Sequence, residues 1–230
     1  MAYSLRKKIL SYSKKFIFAC ISVSVFWVMM YKYVNPPITS LMIIRAVEHD
    51  KAKGKFRHQH RWVSLEDISP NMVWAVIAAE DNNFTSHMGV DWQAIQKARK
   101  INKYSRIKHG ASTITQQTAK NVFLFPSRTY FRKGLELYFT CLMELCWSKR
   151  RIMEVYLNVV EMGRGIYGVE AASQFYYKKS ASQLTPSEAA MLAAILPAPL
   201  RRNPAQPSQY LINRQQRILS LMYKLGKPNL

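Results

Sequence analysis

The stretch SPNMVWAVIAAE, residues 69–80, carries both a start signal for a helix and a buried helical face. Ser69 is a typical N-cap, and Pro70 suits the first helical position, where a missing backbone N–H costs nothing. Three apolar side chains then follow at the spacing of one helical face: Val73, Val76 and Ile77. The stretch therefore predicts a helix that begins at Pro70 and ends near Glu80.

Helix signals of the same kind recur along the chain. Capping boxes predict the start of two more helices, at Thr113–Gln116 and at Thr185–Glu188. Apolar spacing predicts a helix over 129–148 that continues over 149–160, and a last helix is predicted over 208–226. Alternating strand patterns are nearly absent. The predicted fold class is therefore all-α, or mainly α.

Composition and charge limit the function classes. The chain has 230 residues, enough for one domain with a small appendage, and its 49% apolar content excludes a disordered chain. It has 34 basic and 13 acidic residues, a net charge of +21. This excess predicts an anionic partner: nucleic acid, anionic lipid or a phosphorylated substrate. The three cysteines, Cys20, Cys141 and Cys146, are too few for a disulfide scaffold and are predicted to be unpaired.

The N-terminal residues predict a membrane anchor. Residues 1–15 form a basic tail without an acid, and residues 16–34 form an apolar stretch long enough to span a bilayer if Lys32 reaches the interface. A cleaved signal peptide is disfavoured because no small-residue cleavage site follows the apolar core. The basic tail places the N-terminus in the cytoplasm. Residues 35–64 are then a connector, and residues 65–230 form a domain outside the membrane.

This outer part of the chain is basic in its own right. Beyond residue 34 there are 28 basic against 13 acidic residues, a net charge of +15. Nucleic acid is an unsuitable partner outside the membrane, so an anionic leaflet or a pyrophosphate substrate fits better. No metal site is predicted: His58 and His60 have no further ligand nearby, and His87 is interpreted as structural.

Two glutamates are candidates for acid–base chemistry. Glu80 falls on the apolar stripe of its predicted helix, where partial desolvation should raise its pKa toward the value that a general base needs. Glu136 shares an apolar stripe with Phe139 and Met143. Each has a more ordinary alternative: a polar turn at a helix end for Glu80, and a surface ion pair with Arg132 for Glu136.

A third candidate is the turn GASTITQQ, residues 110–117, which opens a helix and offers backbone N–H groups and hydroxyls to an anion. Four cations follow within 23 residues of Gly110: Lys120, Arg128, Arg132 and Lys133. Alone, this is also typical of a capped helix with a solvated basic face. Together with the two glutamates it favours sugar chemistry on a phosphorylated substrate.

At these residues the sequence resembles the monofunctional biosynthetic peptidoglycan glycosyltransferases, which share their catalytic domain with class A penicillin-binding proteins. Five motifs occur in order: EDNNFTSHMG (80–89), GASTITQQ (110–117) with Lys120 and Asn121, RKGLE (132–136), Ile152 with Tyr156-Leu157-Asn158, and GIYGVEAA (165–172). They cover about residues 65–204. Two departures, Ala111 and the run Tyr176-Tyr177-Lys178, do not touch a charged site.

The resemblance implies a lysozyme-like fold and polymerisation of lipid II onto a growing glycan chain. It implies that Glu80 is the base for the acceptor hydroxyl and that Glu136 assists on the donor side. It also implies that six residues hold the pyrophosphate: Ser112, Gln116, Lys120, Arg128, Arg132 and Lys133. No cofactor is required, although a divalent cation, Mg or Mn, could bind there through Asp81. Other cell-wall synthases are candidate partners.

Two rival functions remain open from the sequence. A peptidoglycan hydrolase would share the fold and a catalytic glutamate, but it would need neither an anchor nor a basic phosphate cluster. A membrane-tethered binding module for anionic lipid or nucleic acid would be indifferent to the loss of Glu80.

Overall fold

The computed structural model describes residues 2–51, 58–105, 110–127, 129–227 and 230, with their side chains except at 2–5, 9 and 49–51. Within these residues the chain forms ten α-helices and three short strands. The helices are α1 (Ala2–Tyr33), α2 (Ser40–Lys51), α3 (Pro70–Glu80), α4 (Trp92–Tyr104), α5 (Ile114–Phe123), α6 (Tyr130–Cys146), α7 (Lys149–Val159), α8 (Val169–Tyr177), α9 (Pro186–Ile195) and α10 (Gln209–Leu225). The strands are β1 (Gln59–His60), β2 (Glu161–Gly163) and β3 (Ile166–Tyr167). The mainly α class is confirmed.

The chain divides into two compact units, Met1–Asn35 and Pro36–Leu230. Helix α1 lies in the first unit, and residues 2–15 of the predicted basic tail and 16–33 of the predicted span belong to this one helix. Its segment Arg6–Tyr33 is long and apolar enough to cross a membrane. The three cysteines, all within the described residues, are unpaired as predicted.

The core of the second unit is built around α9. Residues 189–195, at the C-terminal end of α9, are all buried, which an Ala- and Leu-rich helix allows because small side chains let neighbours approach on every side. Helices α3 and α10 pack against it. The predicted caps are confirmed: Ser69 accepts from Asn71 N at α3, and Thr185 with Glu188 forms the capping box of α9. This packing fixes the end of α3, where Glu80 lies.

A second group of helices forms where α5 packs against α6 and α7. The Thr113–Gln116 capping box at the start of α5 is confirmed. The helical prediction over 129–160 is divided in the structure, because α6 ends at Cys146 and Ser148 caps α7 by accepting from Arg151 N. Ser148 competes for backbone N–H groups and so ends one helix and begins the next.

The strands form a small sheet in the order β1–β3–β2, with β1 parallel and β2 antiparallel to β3. Strands of two or three residues are too short to show alternation in a sequence. The region predicted as a connector, residues 35–64, contains α2 and β1. His60 is half-buried there rather than fully solvated, and its Nε2 lies 3.1 Å from Asn158 O.

The backbone conformation at Gly168, between β3 and α8, requires a glycine. Its φ is +79°, and a Cβ atom there would lie 2.6 Å from Asn158 O. We expect Gly168→Ala to lower the free energy of unfolding by roughly 1–3 kcal/mol, from a strained backbone that cannot move away from Asn158. Denaturant unfolding in detergent measures this change.

Gly134→Ala is the matched control, because a Cβ at Gly134 meets nothing within 4 Å and the residue lies inside α6. We expect that variant to be stabilised by about 0.5–1 kcal/mol. Equal stability of the two variants would contradict the steric argument.

Candidate active site

Glu80 is the last residue of α3, and its carboxylate turns from the buried face of that helix toward a cleft. Its side chain is 12% exposed. Gln117 Nε2 donates to Glu80 Oε2 at 2.9 Å, and Arg214 Nη2 donates to Oε1 at 3.4 Å. Each carboxylate oxygen therefore has one donor, from α5 and α10 respectively.

Burial raises the pKa of Glu80, and the hydrogen bond from Gln117 together with the charges of Arg214, Arg202 and Lys120 opposes the rise. The sequence prediction of a desolvated carboxylate with a raised pKa is confirmed. A carboxylate of this kind binds a proton more readily than an exposed glutamate and can serve as a general base nearer neutral pH.

Glu136 lies on the buried face of α6 and is 3% exposed. Arg132 Nη1 donates to Glu136 Oε2 at 2.5 Å, and Lys133 Nζ donates to Oε1. Arg132 is held further by Ser127 O, which accepts from its Nε at 2.5 Å. The alternative of a surface ion pair is thus wrong for Glu136, since its carboxylate is buried between two cations. A buried carboxylate with two donors fixes the positions of both cations.

Two clefts adjoin Glu80 and the side chains that bind the two glutamates. The first, of about 470 Å³, is lined on one side by Gln117, Lys120 and Arg132. The second, of about 490 Å³, is lined by Glu80, Asp81 and Ser112 and by one face of α4. Because Gln117 lines the first cleft and donates to Glu80, its side chain lies between the basic cleft and the carboxylate.

Lys120 interacts electrostatically with both glutamates. Burial lowers the pKa of Lys120, while the charges of Glu136 and Glu80 raise it and those of Arg132 and Lys133 lower it. Because a partly desolvated cation has lost hydration, an anionic ligand in the cleft stabilises its charged form. The first cleft is therefore suited to a phosphate or pyrophosphate group.

The other predicted binding residues are placed differently. Ser112 is exposed in the second cleft. Gln116 is buried and its Oε1 accepts from Thr113 N, so its carbonyl end serves the capping box. Gln116, Lys133 and Glu136 line neither of the two clefts. Arg128 lies outside the described residues. The binding roles of all these residues stay predictions.

Asp81, His87 and Asp91 form a hydrogen-bonded cluster whose ligand-type atoms lie within 4.8 Å of one another. His87 Nε2 lies 2.9 Å from Asp81 Oδ1, and Asp81 Oδ2 accepts from Ile114 N at 3.0 Å. Asp91 accepts from Asn83 Nδ2 and from Ala94 N. These bonds give every carboxylate oxygen of the cluster a partner, and they tie the loop after α3 to α5. The absence of a metal and the structural role of His87 stay predictions.

Sequence reasoning missed three side chains that act on Glu80 or its neighbours. Gln117 belongs to the second motif, which was its only signal, and Tyr156 belongs to the fourth. Arg214, on α10, has no local signal, since it is 134 residues from Glu80 in the chain. It is positioned by Ala194 O, which accepts from its Nε at 3.2 Å.

Comparison with known proteins agrees with this arrangement. The family model described as Transglycosylase matches residues 48–223. A biosynthetic peptidoglycan transglycosylase of Bacteroides thetaiotaomicron is 48% identical over 221 residues, which is 96% of this chain and 89% of the relative. That of Bdellovibrio bacteriovorus is 53% identical over 84% of this chain and 78% of its own length. That of Shewanella oneidensis is 45% identical over 97% of this chain and 95% of its own length. The chain therefore belongs to the transglycosylase family, whose catalytic domain is lysozyme-like and mainly α.

Proposed function

We propose that the protein, a peptidoglycan glycosyltransferase of this family, polymerises lipid II into β-1,4-linked glycan strands and releases undecaprenyl pyrophosphate. The observation that carries the proposal is Glu80. It is a buried carboxylate with a raised pKa that lines one cleft and is hydrogen-bonded to the wall of a basic one.

In the proposed reaction Glu80 accepts the proton from the 4-hydroxyl of the acceptor sugar. The hydroxyl oxygen forms a bond to the anomeric carbon of the donor, and the bond from that carbon to the pyrophosphate oxygen breaks. Attack from the face opposite the leaving group inverts the anomeric centre. The reaction is similar to that of inverting glycosidases, with a sugar hydroxyl in place of water.

The leaving group in this reaction is a pyrophosphate, whose charge grows as the glycosidic bond breaks. Lys120 and Arg132 line the first cleft and are placed to offset that charge. Glu136 assists on the donor side by holding Arg132 and Lys133 in position. We propose that Ser112, Gln116 and Arg128 complete the binding of the substrate. A hydrolase, whose water nucleophile meets a glycan without phosphate, has no use for this cation set.

No cofactor is required for the proposed reaction. A divalent cation, Mg or Mn, could accompany the pyrophosphate as its counter-ion without a change in the roles above. The substrates are lipid II and the growing glycan chain, and other cell-wall synthases are proposed partners.

The function is tested by measuring undecaprenyl pyrophosphate released from lipid II by the purified full chain. We expect one molecule to be released for each disaccharide added to the strand, because the bond that breaks is the one to pyrophosphate. Release without strand growth would mean that water is the acceptor, and the proposal of a polymerase would fail.

We propose that the protein is a single-pass protein of the inner, or plasma, membrane, with a cytoplasmic N-terminus and an extracytoplasmic catalytic domain. The apolar helix α1 and the five positive charges of residues 1–15 support this orientation. In sealed, right-side-out spheroplasts, added protease should digest residues 35–230 and leave the N-terminal tail protected. Lysed spheroplasts, the control, should lose both, and protection of the large domain in sealed ones would contradict the orientation.

A further inference from the structure

The side-chain amide of Gln117 is hydrogen-bonded at both ends, to Glu80 at one end and to Tyr156 at the other. Its Nε2 donates to Glu80 Oε2 at 2.9 Å, while Tyr156 Oη donates to its Oε1 at 3.4 Å. The three residues come from α7, α5 and α3 and form a chain of two hydrogen bonds. Tyr156 is fully buried, so it reaches the site only through its neighbours.

The ionised carboxylate of Glu80 only accepts hydrogen bonds, so it selects the donor end of the Gln117 amide. A primary amide has a donor end and an acceptor end of similar shape, and it can rotate to exchange them. If the carbonyl oxygen of Gln117 faced Glu80, two acceptors would meet and the ionised carboxylate would be destabilised. In the observed orientation the Tyr156 hydroxyl donates to that carbonyl oxygen, which pairs this acceptor and polarises the amide so that its Nε2 donates more strongly to Glu80. Burial and the nearby charges of Glu80 and Asp81 raise the pKa of Tyr156, so its hydroxyl stays protonated as a donor.

We propose that Tyr156 is a positioning residue that acts through Gln117 to stabilise the ionised, proton-accepting form of Glu80. The proposal rests on the proposed function in one respect, the role of Glu80 as the base. Tyr156 itself touches no substrate, because its side chain is enclosed by the core.

Other charged groups also act on Glu80 and limit the size of the effect. Arg214 donates from α10, and Arg202 and Lys120 contribute positive charge. Asp81 is the adjacent residue in the chain and contributes negative charge near Tyr156. All of these remain when the Tyr156 hydroxyl is removed, so the shift should be moderate rather than a complete loss of ionisation.

Tyr156→Phe removes only the hydroxyl. The pKa of Glu80 should then rise further, and the acidic limb of kcat/KM for lipid II polymerisation should move upward by about 0.5–1 pH unit. The sign follows from the role of a base, which is active when ionised and is lost as the pH falls through its pKa. At pH values above this limb, the rate of the Tyr156→Phe variant should return to within a few-fold of wild type, and its KM should not change.

Tyr167→Phe is the matched control. Tyr167 is also fully buried, and its hydroxyl has no hydrogen-bond partner among the described residues. Loss of that hydroxyl should leave the pH profile unmoved. If Tyr156→Phe lowers the rate equally at every pH, its role is only structural and the proposal is overturned.

A double variant tests the route of the effect. Gln117→Leu should move the limb at least as far as Tyr156→Phe, and adding Tyr156→Phe to it should move the limb no further, because Tyr156 acts only through Gln117. Additive shifts would overturn the proposal. Titration of Glu80 by carboxyl-carbon NMR, with its signal assigned by loss in Glu80→Gln, provides a readout without turnover. A shifted titration in a protein that forms no polymer would keep the relay and reject the polymerase.

Discussion

Glu80→Gln should reduce the rate of lipid II polymerisation by about 10²–10⁴-fold, the usual loss when a general base is removed. Glutamine keeps the size of the side chain but cannot accept the proton of the acceptor hydroxyl. The other carboxylates that line the same cleft, Asp81 and Asp91, already have a hydrogen-bond partner on each oxygen. The rate is measured with purified protein and fluorescent lipid II.

The loss in Glu80→Gln should occur without unfolding. Because burial raises the folded-state pKa of Glu80 above its unfolded value, the folded state holds a proton more tightly than the unfolded state. The stability that this proton contributes is therefore lost as the pH rises from the unfolded-state pKa to the folded-state pKa. Above that range the buried negative charge destabilises the fold, and the uncharged glutamine removes this destabilisation. We expect unfolding of the variant to occur at the same or higher denaturant concentration than wild type.

Glu66→Gln is the control for a change of charge alone. Glu66 is exposed and pairs with Arg150 away from both clefts. Its loss should leave polymerisation unchanged. Polymerisation by Glu80→Gln within a few-fold of wild type would remove Glu80 from the role of base.

Lys120→Met should weaken lipid II binding by about 1.5–3 kcal/mol, or roughly tenfold to 150-fold, because a charged hydrogen bond to pyrophosphate is lost. Methionine keeps much of the apolar stem. Lys120 is a sharper test than Arg132, whose removal would also leave Glu136 with one cation fewer. Affinity is measured in the Glu80→Gln background so that substrate is not consumed.

Two comparisons give the Lys120 result its meaning. Lys224→Met, at an exposed position of α10, should change affinity much less. The loss at Lys120 should also shrink for a glycan that lacks pyrophosphate, because the charge then has no ligand. Equal losses for both ligands would mean that Lys120 acts through the fold or through Glu136, and not at a pyrophosphate.

Local signals predicted much of the fold. The starts of α3, α5, α9 and α10 were predicted because an N-cap side chain binds backbone groups two or three residues away, which a sequence displays directly. Helix α4 was not predicted, although Trp92, Ile95 and Ile101 recur at helical spacing, and it buries no residue. The division between α6 and α7 was missed because the apolar spacing continues across Ser148.

The candidate site was predicted only in part for the same reason. Burial of Glu80 and Glu136 followed from their places on apolar stripes. The partners of Glu80 did not, because Gln117 and Arg214 reach it from helices 37 and 134 residues away. Contacts of that kind depend on how helices pack, and packing is decided by many side chains at once.

The central claim is tested most directly by incubating the purified full chain with labelled lipid II and, separately, with intact sacculi. The account predicts a lipid-linked glycan polymer from lipid II, its loss in Glu80→Gln, and no soluble fragments from sacculi. Fragments from sacculi without polymer would identify a hydrolase. Binding of lipid II without either product would identify a tethered binding module, and either result would contradict the account.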